Sequence, residues 1–450
     1  MTSKPVTIIV SDLHMGGGHA DPGDDFVYQN SQFTRFIQSQ GETQEGKQGQ
    51  LELIVNGDFL EFAQVNPEAY SLASSRYWCS ESESVWKLVP ILNGHADVFQ
   101  ALTDFQKQGN QVTLMAGNHD VDLYWGEVQD RLRKAAGPLV FELGEIWYDR
   151  YGGRLRIGHG HMLDPANSFH NWSNPVLLGD YGIKRLEMCP GTLFMVKFVN
   201  WLEKKYPFAD NLHPVTALAD ILFKEDSFGL VTVGWVFSRF VARHPKATVT
   251  LAPALPIGKR LLEMTAHDSG FLEKVTALYR IARNEPKATA GEVKEELKTE
   301  DAMADFVIEL LARVPPEQWL SVFDLAKPST LGIAETPGAT LSLIRSGRMD
   351  AKEACRKAAR EQWGLGAQTV VVGHTHLPDC LEEDQSRYFN PGSWTRYVDS
   401  NALANLTMEE LRNEENFPYQ LNYVRVEGDE SHLLRSDMIC YEESTKTPAR

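Results

Sequence analysis

Five short apolar segments, each followed directly by Asp, Asn or His side chains, constrain the fold of this chain more than any other feature. The first, Val6 to Val10, is continuous and β-branched and runs into Ser11 and Asp12. The other four segments are Leu51 to Val55, Val112 to Ala116, Leu155 to Gly158 and Thr369 to Val372. Apolar runs of this length predict buried strands, and the loops after such strands converge on ligand sites. The pattern predicts an α/β protein whose chemistry lies at one edge of a sheet.

The composition is that of a globular chain with an acidic surface. Of the 450 residues, 42% are hydrophobic and 23% are charged, which excludes a wholly disordered protein. The net charge of -17 comes from 44 Lys and Arg against 61 Asp and Glu. Because an acidic surface repels phosphate backbones, general binding of nucleic acid is not expected. A single phosphorylated ligand is compatible with this charge if metal ions offset it.

The cysteines and the apolar segments bear on the compartment. Five scattered cysteines without a C-x-x-C spacing argue against a disulfide framework or a zinc finger, and favour a reducing compartment. The N-terminal residues have no signal-peptide pattern, and no apolar run reaches the roughly 18 residues of a membrane span. We therefore expect a cytoplasmic protein.

A long helical insertion divides the strand pattern. Residues 1–164 and 367–450 carry the strand signals and form the predicted core, whereas residues 165–366 read as amphipathic helices. An insertion of roughly 200 residues exceeds an ordinary loop and predicts an inserted helical cap. Within the core, Phe26 to Gln38 is predicted to be a helix and Gln40 to Gln50 an exposed loop. The segment Pro67 to Gly109 is predicted to be helical, with a loop near Ser80 to Ser84.

The polar residues at the strand ends have the chemistry of metal ligands. They are Asp12, His14, Asp58, Asn118, His159, His374 and His376. Alternation along an extended chain directs residues i and i+2 to the same side, so each D-x-H or H-x-H pair can face one site. Oxygen and imidazole ligands without a thiolate suit Mn²⁺, Fe or Zn²⁺. Seven ligands suit two adjacent ions about 3.5–4 Å apart, a device for in-line displacement at phosphorus, with Asp58 as the natural bridge.

In order along the chain, these residues resemble the five motifs of the calcineurin-like metallophosphoesterase family. The motifs are Asp12-Leu13-His14, Gly57-Asp58, Gly117-Asn118-His119-Asp120, His159-Gly160-His161 and Gly373-His374-Thr375-His376. The resemblance covers about the first 165 and the last 85 residues and implies a two-sheet α/β/β/α sandwich with the helical cap inserted between the fourth and fifth motifs. It also implies two divalent metal ions, each with its own set of ligands. Mn is the expected metal, and Fe and Zn are the alternatives. The implied ligands of the first ion are Asp12, His14 and His376; those of the second are Asn118, His159 and His374; Asp58 bridges.

The resemblance implies further roles around the metals. His119 would face the substrate, stabilise the transition state and protonate the leaving oxygen, with Asp120 orienting its ring. His161 is a candidate for substrate contact. Asn390, in the Asn-Pro-Gly-Ser turn, and Arg396, which follows that turn, are lower-ranked candidates for substrate binding.

Departures from the family pattern narrow the substrate class. The spacings from Asp12 to Asp58 and from Asp58 to Asn118 are wider than is common in the family, and the Asp-Arg-Gly of protein phosphatases is missing. The stretch Gly57 to Phe62 (GDFLEF) and the inserted helices are distantly similar to the UDP-2,3-diacylglucosamine pyrophosphohydrolase branch, which uses an inserted lid to hold acyl chains.

The sequence thus predicts a dinuclear hydrolase of phosphate ester or anhydride bonds in which a metal-bridging hydroxide attacks phosphorus. The expected substrate is a small nucleotide, lipid or sugar phospho-conjugate, handled by a phosphodiesterase or pyrophosphohydrolase. Two alternatives stay open: a nuclease of the same fold, and a metal-bound interaction protein without turnover. Contact with a membrane surface and the oligomeric state also stay open.

Overall fold

A computed structural model describes most of the chain. The described residues are 4–18, 30–65, 79–179, 182–203, 205–213, 218, 221, 265–299, 302, 306, 337–399, 406–429 and 434–441. The chain divides into two compact units, Met1–Val215 with Arg348–Arg450, and Thr216–Gly347. This division assigns residues 165–215 and 348–366 to the first unit, whereas the sequence boundaries assigned them to the inserted cap.

Fifteen strands lie within the described residues, and eleven of them form two mixed sheets. The strands are β1 Val6–Val10, β2 Leu51–Asn56, β3 Gln111–Met115, β4 Val140–Glu142, β5 Tyr148–Arg150, β6 Leu155–Gly158, β7 Val176–Leu178, β8 Lys184–Leu186, β9 Leu212–His213, β10 Thr369–Val372, β11 Asp379–Glu383, β12 Ser386–Asn390, β13 Val398–Asp399, β14 Asn422–Glu427 and β15 Arg435–Cys440. The first sheet has the order β15-β14-β1-β2-β3-β4, and the second has the order β11-β12-β10-β6-β5. Two small pairs, β7 with β8 and β9 with β13, stand outside these sheets.

Parallel pairing brings the predicted strand ends to one edge. In the first sheet β1, β2, β3 and β4 are parallel, with Val10 opposite Val55 and Asn56 opposite Met115. In the second sheet β6 and β10 are parallel, with Gly158 opposite Val372. Because all five motif-bearing strands end at these positions, the motifs follow them at the carboxyl edges of both sheets. The β6–β10 pair also joins the two chain segments that flank the insertion.

The two sheets pack against each other through an apolar layer. Ile9, Ile54 and Met115 from the first sheet share a buried cluster with Leu155 and Ile157 from the second. Helices pack on the outer face of each sheet, through separate apolar clusters. This arrangement confirms the predicted α/β sandwich with two sheets.

Ten α-helices lie within the described part of the chain. They are α1 Asn30–Glu42, α2 Gln44–Lys47, α3 Glu81–Gly94, α4 Ala96–Lys107, α5 Gly126–Ala136, α6 Pro190–Phe194, α7 Asn200–Glu203, α8 Ser269–Arg283, α9 Ala290–Glu296 and α10 Pro337–Gly364. Phe36 of α1, Leu102 of α4 and Leu132 of α5 belong to the core cluster on the outer face of the first sheet. Cys355 and Ala359 of α10 pack on β10 in the second sheet.

Two loop predictions in the core are wrong, and local capping explains both. The predicted loop Gln40 to Gln50 holds the end of α1 and all of α2, because the Thr43 hydroxyl accepts a hydrogen bond from Gly46 N at 3.0 Å. The predicted loop at Ser80 to Ser84 is the start of α3, where Glu83 closes a capping box with Ser80. Residues 26–29 and 67–78 of the predicted helices lie outside the described residues.

The second unit contains two described helices with strong N-terminal caps. The Asp268 carboxylate accepts a hydrogen bond from Phe271 N at the start of α8, and Thr289 with Glu292 forms a capping box at the start of α9. The Tyr279 hydroxyl of α8 donates a 2.5 Å hydrogen bond to Glu296 of α9. Among the described residues, no helix has the combination of length and apolarity that crossing a bilayer would need.

A buried ion pair joins the two sheets at the edge opposite the motifs. Glu52 at the start of β2 is fully buried and pairs with the guanidinium of Arg150 at the end of β5. Its other oxygen accepts hydrogen bonds from Thr113 Oγ1 at 2.8 Å and Gln111 Nε2 at 2.9 Å. Because the carboxylate has no access to water, the protein supplies all of its compensation.

We expect Arg150→Met to lower the free energy of unfolding by about 3–5 kcal/mol, since it leaves Glu52 charged and uncompensated in the core. Urea unfolding followed by circular dichroism measures this loss. Arg131→Met, which removes the exposed partner of Glu127 on α5, is the matched control and should change stability little. Equal effects of the two substitutions would contradict the structural role of the buried pair.

Candidate metal centre

The motif loops adopt an uncommon backbone conformation at their ligand-bearing residues. The φ angles of Asp12, His14, Asp58, His374 and His376 are +57°, +47°, +47°, +68° and +58°. Non-glycine residues seldom occupy this left-handed region, and such residues cluster at functional sites.

Hydrogen bonds between the loops hold this arrangement. Asp12 N donates to Gly57 O at 3.2 Å, and His14 N donates to Asp58 O at 2.9 Å. The Asp12 carboxylate accepts from His374 N at 3.0 Å through Oδ2. The loops after β1, β2 and β10 are therefore fixed to one another by their backbones.

Glycine is required where the loops approach most closely. A Cβ atom at Gly117 would lie 2.1 Å from Oδ1 of Asp58, and one at Gly373 would lie 2.0 Å from Oγ of Ser11. Both distances are far below van der Waals contact, so any side chain there would displace a ligand-bearing loop. This explains the glycines before Asn118 and His374 in physical terms.

Two groups of candidate ligands lie side by side, and a third group, His14, Asp58 and His119, shares a residue with each of them. Asp12, His14 and His376 form one group, and Asp58, His159 and His374 form another, each with donor atoms within 4.8 Å of one another. In the first group, Nε2 of His376 is 3.0 Å from Nε2 of His14 and 3.4 Å from Oδ1 of Asp12.

Asp58 connects the two groups. Its Oδ2 lies 3.1 Å from Nε2 of His159 in the second group and 3.8 Å from Nε2 of His14 in the first. Its Oδ1 accepts a hydrogen bond from His119 N at 2.9 Å. The carboxylate predicted to bridge two ions is thus the one that contacts both groups.

Asn118 presents an unsatisfied oxygen. Its side chain is buried, and within the described residues its Oδ1 has no hydrogen-bond partner, while its Nδ2 donates to Asn167 at 3.2 Å. A buried amide oxygen without a partner is costly in an apolar interior. Together with Asp12 Oδ1, which has Nε2 atoms of three histidines within 4.0 Å, it supplies hard oxygen donors. These residues fit divalent ions of the Mn²⁺, Fe or Zn²⁺ type.

Electrostatics keeps the carboxylates ionised. Burial opposes the charge on Asp58, but the adjacent His159 and His119 hold its pKa well below the usual range. Burial likewise disfavours the protonated ring of His159, yet Asp58 and Asp12 raise its pKa to about 9. The charges of the centre therefore depend on one another.

Glu61 is a functional candidate that the sequence prediction missed. Its Oε2 lies 2.8 Å from Nδ1 of His14 and 2.6 Å from Nδ1 of His119. Burial opposes ionisation of Glu61, but His119 and His14 lower its pKa to about 2. The pKa of His119 rises to about 10, because Glu61 and Asp58 outweigh the burial of the ring. The sequence signal for Glu61 was its position three residues after Asp58, since a turn between them can bring the Glu61 carboxylate to the same site.

The predicted contact between Asp120 and the His119 ring is wrong. The Asp120 carboxylate instead accepts hydrogen bonds from the backbone amides of Phe59 at 2.8 Å and Gly117 at 2.6 Å. Burial is the main cause that raises the pKa of Asp120 to about 7. Glu61 lies beside the His119 ring, whereas Asp120 joins the loops after β2 and β3.

The structure places the three predicted substrate-binding residues away from an open surface. His161 is buried with its ring centroid 4.2 Å from that of Trp172, and burial holds its pKa well below the usual range. Asn390 donates to Gly373 O and to Thr375 Oγ1, both at 2.9 Å, so it braces the fifth motif. The Arg396 guanidinium donates to Glu414 and to the carbonyl oxygen of Phe417.

Comparison with known proteins supports the assignment made from the motifs. The family model described as the calcineurin-like phosphoesterase superfamily domain matches residues 324–411, which contain the fifth motif and the Asn-Pro-Gly-Ser turn. A search of curated proteins finds no match. Members of this class hydrolyse phosphoesters with the help of metal ions, and the ligand groups at the strand ends suit that chemistry. Over residues 324–411, the chain is thus similar to the calcineurin-like phosphoesterases.

Proposed function

We propose that the chain is a dinuclear phosphodiesterase or pyrophosphohydrolase. The observation that carries this proposal is the sharing of Asp58 between two adjacent ligand groups. One carboxylate in reach of both groups is the arrangement expected for a pair of ions in in-line displacement at phosphorus. We propose Mn²⁺ as the physiological metal, since the ligands are carboxylate, amide and imidazole.

The chain's own residues divide the work of such a reaction. Asp12, His14 and His376 would hold one ion, Asn118, His159 and His374 the other, and Asp58 both. When bound, the two ions would supply an activated water and neutralise charge on the phosphoryl group. Hydrogen bonds between the loops after β1, β2 and β10 would hold these ligands near one another before substrate arrives.

His119 is the residue placed to handle the proton. Its Nδ1 lies 2.6 Å from Oε2 of Glu61, so Nε2 is the ring atom that would donate to a phosphoryl or leaving oxygen. Burial of the ring disfavours its charge, but Glu61 and Asp58 raise its pKa to about 10, which favours the protonated form. A protonated ring both stabilises developing negative charge and can release its proton to the departing group.

The proposed substrate is a small phospho-conjugate of a nucleotide, lipid or sugar. The charge of -17 disfavours a nucleic acid. Arg396, the arginine predicted to bind substrate, is buried and pairs with Glu414. All five cysteines lie in the described part of the chain and are free thiols, which agrees with the proposed cytoplasmic location.

We expect Asp58→Ala to reduce Mn²⁺-dependent hydrolysis of bis(4-nitrophenyl) phosphate by about 10³-fold or more, because it removes the ligand shared by both ions. The assay uses chelator-stripped protein with Mn²⁺ restored, beside the monoester 4-nitrophenyl phosphate. Asp104→Ala, an exposed carboxylate of α4, is the matched control. Cleavage of the monoester alone would contradict a diesterase, and the absence of metal-dependent turnover on either ester would contradict hydrolysis at this site.

We expect His119→Asn to lower kcat by about 10²–10⁴-fold while the protein keeps its metal content, because the residue acts on the proton. Elemental analysis of the purified variant checks the metal. His170→Asn, whose ring is exposed, serves as the control. Full activity of the variant would show that His119 takes no part in the mechanism. In a protein whose only role is binding, the substitution would leave that binding unchanged.

We expect Glu61→Gln to lower kcat by about 10–100-fold, because it removes the carboxylate that orients the His119 ring. If Glu61 acts through His119, the double variant with His119→Asn should be no slower than His119→Asn alone. Glu127→Gln on the surface of α5 is the control. Fully additive losses would show that Glu61 acts independently of His119.

A further inference from the structure

A series of side-chain hydrogen bonds joins two ligands of the second metal position, and among the described residues neither of its two middle members bonds to a ligand of the first. It runs from Asn118 through Asn167 and Asp164 to His374. We infer that Asn167 and Asp164 are positioning residues that set the affinity of the second metal position alone. This inference rests on the dinuclear centre proposed above.

At its Asn118 end, this series of hydrogen bonds fixes which atom of the Asn118 amide faces the centre. Asn118 Nδ2 donates to Oδ1 of Asn167 at 3.2 Å, so the amide plane is held with Oδ1 on the opposite side. That oxygen is buried and has no hydrogen-bond partner among the described residues. Without Asn167, the amide could rotate and present a donor, which cannot bind a cation.

At its other end, this series of hydrogen bonds fixes the orientation of the His374 ring. Asp164 Oδ2 lies 3.2 Å from Nε2 of His374 and accepts a 2.7 Å hydrogen bond from Asn167 Nδ2. A histidine that donates one ring N–H to a carboxylate keeps its other nitrogen unprotonated for a metal. Asp164 is itself held, because its Oδ1 accepts from Ala166 N at 2.9 Å.

The first metal position has different supports. The Asp12 carboxylate is held by Ser11 Oγ and by His374 N, and the His14 ring is held by Glu61. Within the described residues, no contact of the Asn167 or Asp164 side chain reaches Asp12 or His14. The two positions should therefore respond differently to changes in this hydrogen-bond chain.

The first turn of α6 closes over the same residues. The Thr192 hydroxyl donates to Asn118 O at 3.0 Å, and Gly191 N donates to Ala166 O at 2.7 Å. A Cβ atom at Gly191 would lie 2.0 Å from Oδ1 of Asn167. The glycine thus lets α6 press against Asn167, and a methyl group there would displace the side chain without deleting any hydrogen-bonding group.

The test is a titration of the metal-free full-length protein with Mn²⁺, followed by calorimetry and by electron paramagnetic resonance. Spin coupling between two ions reports the filled pair, independently of any turnover. We expect the wild-type protein to bind two ions. Asn167→Ala and Gly191→Ala should bind the first with unchanged affinity and the second about 10–100-fold more weakly. Asn171→Ala, an exposed asparagine of the same segment, is the matched control.

The outcomes separate this inference from the proposed function. Two ions bound normally by both variants would overturn the inference and leave the dinuclear centre standing. Equal weakening of both ions in both variants would also overturn it, because the residues would then support the centre as a whole. A wild-type protein that binds fewer than two ions would overturn the dinuclear centre, and the inference with it.

Discussion

The structure depends on keeping the Asp58 carboxylate charged in a place that water does not reach. An isolated buried carboxylate would take up a proton, because desolvation strongly disfavours its charge. Here the amide of His119 and the rings of His159 and His14 surround it. These groups come from loops after different strands, so the sandwich must be complete before the charge is compensated. Glu61, three residues after Asp58, is a second buried carboxylate beside a histidine, and it stabilises the charged ring of His119.

Much of the fold and most of the centre could be predicted from local sequence. The β-branched segments ended where polar residues began, and parallel pairing of β1, β2 and β3 then had to bring Asp12, Asp58 and Asn118 to one edge. The metal ligands remain a prediction, but the structure brings all of the predicted side chains together. The helix starts at Ser80 and Thr43 differ from the predicted loops, because serine and threonine begin helices as well as loops.

What escaped prediction depended on contacts between distant residues. Nothing in the sequence around Asp120 distinguishes a carboxylate that orients a ring from one that binds backbone amides, because the choice depends on where Glu61 points. Arg396 follows a motif-like turn, yet its guanidinium finds Glu414. The segment after the fourth motif looked like the start of the insertion, whereas Asn167 and Thr192 contact Asn118. The position of a residue near a motif in the sequence therefore predicted where its side chain lies more reliably than what that side chain does.

The pairing of β6 with β10 affects when, during folding, the candidate metal centre can form. The partners lie far apart in the chain, with Leu155 opposite Thr369, and both histidines of the fifth motif follow β10. Contacts between residues so distant in sequence form late, since closing a long loop costs entropy before any contact repays it. During synthesis, a ribosome must pass residue 376 before either candidate metal position has all of its ligands. A chain that ends before residue 374 therefore contains β1 to β4 of the first sheet but lacks both histidines of the fifth motif, so its candidate centre is incomplete.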